Sequence, residues 1–159
     1  MGVFNITGTI ASIGQSEFNN RGTLYAFVEI IEPSGRRVLV QNVAVGNQVL
    51  PAINLGCKGE FFFDKLFVPG KPLISQMWGV KTPDGLVAFD HNMRKPQMIL
   101  NLLVGILAAP ILGLGIPFLI LGLFQAVQLI VTTGTRQQMF YGNDRMEAQR
   151  LRQQQAVRI

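Results

Sequence analysis

The chain has 159 residues, 48% of them hydrophobic, and carries 14 Lys and Arg against nine acids for a net charge of +5. A length like this holds one small folded domain and a membrane element, and the lone Cys57 excludes an internal disulfide or a cysteine metal site. Residues 1–95 are nearly balanced, nine Lys/Arg against seven acids, whereas residues 136–159 hold five Arg against Asp144 and Glu147, so the basic excess belongs mainly to the tail.

The segment Met1–Thr7 has neither a positive n-region nor an apolar h-region and does not read as a secretory signal. Ile6 stands where a myristoylation pattern requires Ser or Thr.

Residues 3–93 read as a succession of short strands. Phe4–Ile13 is rich in β-branched residues and is followed by a polar turn region, Gly14–Gly22. Leu24–Glu32 is the strongest strand signal; Pro33-Ser34-Gly35 stops it and Arg36–Val43 returns as the second arm of a hairpin. An irregular link, Gly46–Gly56, has room for one turn of helix. Gly59–Asp64 is a short apolar strand, and Ile74–Val80 pairs with Leu86–Phe89 across Thr82-Pro83-Asp84-Gly85. Five or six strands with an irregular link after the third predict an OB-like barrel, with a small β-sandwich as the alternative. The expected class is α+β: a β-domain over residues 1–93, an apolar helical element over 94–136, and a basic tail helix over 137–159.

Between Lys95 and Arg136 lie 40 residues without a charged side chain. As one helix they would reach ~60 Å, about twice a ~30 Å hydrocarbon core. The run carries its own break at Gly113, Gly115 and Pro117, which predicts a transmembrane helical hairpin turning near Gly115. Arg94 and Lys95 precede the run and Arg136 follows it, so two crossings with both termini cytoplasmic satisfy the positive-inside rule, as in a bacterial inner membrane. A turn at Gly115 places Gly105 against Ala126 and Ala109 against Gly122, small residues that admit close approach. Asn101 and Gln128 then share one depth, where their amides can pair. Pro110 is expected to kink the first helix.

In the tail, Asp144-Arg145-Met146-Glu147 carries a helix-capping pattern, and Met139-Phe140-Tyr141 suits a membrane interface.

Chemistry-bearing motifs are sparse. His91 follows Asp90, but no nucleophile elbow, phosphate loop or metal-binding pattern accompanies it. No enzymatic activity, cofactor or metal is expected. Arg36 and Arg37 beside Tyr25 and Phe27 could form a face for single-stranded nucleic acid, although the balanced charge of the domain argues against such a partner. The expected role is a non-enzymatic tether or complex subunit that presents the β-domain to a protein partner and self-associates through its hairpin. The alternatives are a pore or transport subunit built from several hairpins, and a membrane-tethered nucleic-acid-binding module.

Overall fold

The computed structural model describes residues 2–19, 22–66, 73–90, 94–110 and 114–156. Its strands are β1 (Phe4–Ile13), β2 (Ser16–Asn19), β3 (Gly22–Ile31), β4 (Arg37–Gly46), β5 (Lys58–Leu66), β6 (Ile74–Lys81) and β7 (Val87–Phe89). Three helices follow: α1 (Arg94–Ala108), α2 (Ile116–Tyr141) and α3 (Arg145–Ala156). The chain divides into two compact units, one of residues 1–91 with 140–159 and one of residues 92–139.

Among the described residues of the first unit, five strands close a barrel. β1 divides its length between two partners: Phe4–Thr9 pair with β5, and Thr9–Ile13 pair with β3 across an irregularity between Ile10 and Ser12. β3 pairs with β4 and β5 with β6, both antiparallel, and the ring closes through a parallel pairing of Val43–Val45 with Ser75–Met77. A strand that bends away from one neighbour toward another is what closure demands, and closure protects edges that an open sheet exposes. The barrel rules out the two-sheet sandwich that the same strand pattern allowed. β2 extends β3 as an outlying hairpin, so the segment 14–22, expected as a turn, contains a four-residue strand. β7 adds to β6.

Alternation along the strands fills the interior with Ile6, Ile10, Val28, Ile30, Val40, Val43, Phe61, Phe63, Met77 and Val80. The link after β4 contributes to this core Ala52 from one 3-10 turn, Leu50–Ala52, and the residues on either side of it, Val49 and Ile53.

The outer side of β5–β6–β7 is apolar as well. β6 carries one extra residue where Phe62 pairs with Gly79 and Phe63 with Met77. Such a bulge re-aims side chains. Trp78 and Phe62 are fully buried although neither belongs to the interior cluster. Phe140 covers them, its ring centroid 5.0 Å from Phe62, 5.9 Å from Trp78 and 4.9 Å from Phe89. Tyr141 stacks on Phe89 at 5.6 Å. The aromatic pair assigned from sequence to a membrane interface is thus packed on the barrel. α3 is capped by Asp144, whose carboxylate accepts from the Met146 amide at 2.9 Å, and Arg152 lies 5.0 Å over the Tyr141 ring.

In the second unit α1 ends at Ala108, so Pro110 lies beyond the helix and does not kink it. α2 runs unbroken through Arg136 to Tyr141, past the boundary expected at 136. Its side chains explain the length: no Gly or Pro interrupts residues 135–141, and Gly142, at φ +73°, ends the helix in the left-handed conformation.

Candidate membrane-facing and partner-binding surfaces

α2 is long and apolar enough to cross a membrane, and only 11% of its apolar window is buried. α1 has a shorter apolar portion, Met98–Ala108. Large apolar side chains point outward from both helices, among them Leu103, Ile106, Leu107, Leu123 and Ile130, the last two of these 60% and 74% exposed. Contiguous exposed apolar surface on this scale needs a membrane or another protein to cover it.

Small residues bring α1 and α2 together, in a register different from that expected. The atoms nearest a Cβ built at Gly105 belong to Leu119, at 2.7 Å, and those nearest one at Gly122 belong to Leu102, at 2.8 Å. A Cβ at Gly115 would meet the Gly105 carbonyl and the backbone of Ala108 and Ala109. Asn101 donates from Nδ2 to Gln125 Oε1 at 2.8 Å, and both side chains are buried. Gly105 therefore faces Leu119 rather than Ala126, Gly122 faces Leu102 rather than Ala109, and Asn101 meets Gln125 one turn before Gln128. α1 ends at Ala108 and α2 begins at Ile116, so Gly115 lies in the turn immediately before α2. Pro117 lies in the first turn of α2, where its missing amide costs nothing, rather than in the reversal. Gly113 and His91 lie outside the described residues.

The charges that flank the apolar run differ in setting. Arg94 opens α1, and Lys95 after it is exposed; Arg136, within α2, is buried. Between them the hydroxyls of Thr132, Thr133 and Thr135 donate to carbonyls one turn back, at 2.6, 2.5 and 3.3 Å. Such bonds satisfy polar groups inside the helix itself.

On the barrel, the four residues considered for nucleic acid are not assembled into one face. Arg36 sits in the β3–β4 turn and clamps Glu32 bidentately, with Nε–Oε2 at 2.9 Å and Nη2–Oε1 at 2.7 Å. That hydrogen bonding holds the Glu32 carboxyl below the usual range and raises the Arg36 guanidinium. Arg37 opens β4 opposite Ile31 and contacts Glu29 at 3.4 Å. Tyr25, six residues back along β3 and so ~20 Å away, pairs with Val43 and packs against the interior. Burial raises its phenol pKa. Phe27 lies against Gly14, whose Cβ would come within 2.7 Å of its ring. A strand face combining free cations with stacking rings is absent among these residues.

A groove of about 580 Å³ on the barrel includes Glu32 in its lining. The cross-strand pair Gly8 and Gly59 lines it together with Thr7, Lys58, Glu60 and Lys81. Glu60 accepts a hydrogen bond from Asn5 at 2.5 Å, while Lys81 Nζ lies 4.9 Å over Phe140 and 5.4 Å over Phe62. Charges of both signs meet there. Among the described residues no group of three His, Cys, Asp or Glu could hold a metal ion.

Sequence reasoning missed this groove and the aromatic layer under Phe140. For the layer a signal was present: Phe61-Phe62-Phe63 cannot alternate between core and water, so a strand carrying it must be covered on both faces. No protein-family model, curated protein or solved structure matches the chain.

Proposed function

We infer that the protein is a non-enzymatic membrane tether. The helices α1 and α2 form a hairpin within the bilayer, with their basic ends on the cytoplasmic side, and the barrel is held at that surface to bind a protein partner. The observation that carries this reading is the outward-facing apolar surface of a helix pair that has no charged side chain between Lys95 and Arg136. The polar groups within the pair support it too, since Asn101 bonds Gln125 and the threonines bond their own helix. Lipid demands this internal satisfaction.

The barrel is read as OB-like. Its ring order β1–β3–β4–β6–β5–β1, with one parallel contact between β4 and β6 and a helical turn between β4 and β5, supports that reading. Fold alone names no ligand. The mixed charges around the Gly8–Gly59 groove suit a polypeptide, whereas a nucleic-acid backbone calls for a cationic track. Confinement to the membrane raises the effective concentration of the barrel for partners held there.

The test is in-cell cross-linking of the full-length protein, followed by membrane isolation and purification. A partner should be recovered with the unaltered chain and depleted with Lys58→Glu, which reverses a charge at the groove while leaving the hairpin intact. Recovery of the chain in the soluble fraction after alkaline carbonate would refute the tether. Equal partner recovery with Lys58→Glu would remove the groove as the binding surface.

A further inference from the structure

Taking the membrane reading as its base, the register of α1 against α2 bears on the kind of bilayer the pair fits. The contacts Asn101 with Gln125, Leu102 with Gly122 and Gly105 with Leu119 run in opposite chain directions. Continued toward the start of α1, that register sets Lys95 level with residues 129–131 of α2. The large exposed apolar side chains of α2 stop at the same height: Ile130 and Val131 are followed by Thr132, Thr133, Gly134, Thr135 and Arg136. Both helices therefore leave their apolar surface at one level. Along α1, Lys95 to Ala108 measures ~20 Å, and along α2, Ile116 to Val131 measures ~23 Å. An ordinary hydrocarbon core is ~30 Å thick.

Three adjustments could reconcile these lengths. α2 could sink by a turn, because its threonine hydroxyls are bonded internally, but Lys95 on α1 would then carry its charge into hydrocarbon. The reversal could stop short of the far side, which would leave irregular backbone around Ala109 and Leu114 in lipid, where open backbone groups are not tolerated. Thinning the bilayer spreads a small cost per ångström over the surrounding lipid and is the least demanding of the three. We propose that the α1–α2 pair is matched to a thin bilayer, with a hydrocarbon core of ~20 to 23 Å, and that it selects or induces such lipid around itself.

The experiment is cell-free synthesis of the full-length chain with vesicles of diunsaturated phosphatidylcholine bearing fourteen-, eighteen- or twenty-two-carbon chains, followed by flotation and alkaline carbonate. Carbonate-resistant protein should be greatest with fourteen-carbon chains and roughly tenfold lower with twenty-two. The triple variant Arg94→Leu, Lys95→Leu, Thr133→Leu moves the charged or polar boundary outward by two residues on each helix and should raise the share recovered with eighteen-carbon chains. Equal recovery in all three vesicles, or a maximum at eighteen carbons or more for the unaltered chain, overturns the proposal while leaving the membrane reading in place. No carbonate-resistant protein in any vesicle overturns both. The profile of the unaltered chain decides the matter even if the triple variant misfolds.

Discussion

Phe140 lies over Gly79 so closely that a Cβ at Gly79 would come within 2.7 Å of the Phe140 ring. The ring also touches Phe62, Trp78 and Phe89, so the end of α2 is part of the barrel's packing. Phe140→Ala should destabilise the barrel by about 3 kcal/mol in chemical denaturation, because it opens a cavity that rigid strands cannot collapse. Trp78 is the sole tryptophan, so its emission reports the same event and should shift to the red. Gly79→Val should be destabilising through overpacking, by about 1 to 3 kcal/mol.

The amide pair of Asn101 and Gln125 gives a second prediction. Asn101→Leu leaves a buried Gln125 without that donor and should weaken the helix pair by about 1 kcal/mol, in the range measured for such bonds in membranes. Asn101→Leu with Gln125→Leu should recover much of the loss, since removing both partners leaves neither amide to be desolvated. Unfolding in mixed micelles, run as a double-mutant cycle, measures the coupling. A coupling near zero would mean that the bond contributes nothing to holding the helices.

Glycines at the helix contact should differ in tolerance. At Gly115 the obstructing atoms are backbone, the Gly105 carbonyl and the Ala109 amide, so Gly115→Val must force the helices apart. At Gly122 the nearest atoms are the Leu102 side chain, which can turn aside, and Gly122→Ala should cost less. Disulfide formation between cysteines placed at 101 and 125, in a Cys57→Ser background, should fall sharply with the first substitution and little with the second.

Cys57 provides a pH prediction. Burial, with a smaller contribution from the charge of Asp84, raises its thiol above the usual value. The folded chain thus holds this proton more tightly than the unfolded chain does. The associated stability is complete below the ordinary thiol pKa of about 8.5 and is lost as pH rises through the higher folded value. Urea midpoints should decline above that pH, and Cys57→Ser should delay the decline until tyrosine ionises near pH 10, where the raised Tyr25 acts with the same sign. Alkylation of Cys57 at neutral pH should be slower than that of a free thiol.

Much of the barrel was legible because its strands alternate and its turns are marked. Leu24 to Glu32, stopped by Pro33-Ser34-Gly35, corresponds closely to β3, and the link after β4 contains the single helical turn its length allowed. β2 escaped because Ser16-Glu17-Phe18-Asn19 is polar and short; pairing with β3, not propensity, makes it a strand. The helix contact was legible in kind and wrong in detail. Small residues and amides marked the faces, but their matching depended on the register of the two helices, which sets Gly105 against Leu119, Gly122 against Leu102 and Asn101 against Gln125.

Local pattern and charge, which act within a few residues, determined by themselves that the chain holds a strand-rich portion, a charge-free apolar run broken near its middle, and a capped basic tail. Only the tertiary structure decided that the strands close into a ring, that Asn101 meets Gln125, and that Phe140, beyond Arg136, covers Trp78. Each of these joins residues far apart in the chain, and burial of complementary surfaces selects among pairings that local pattern leaves equivalent.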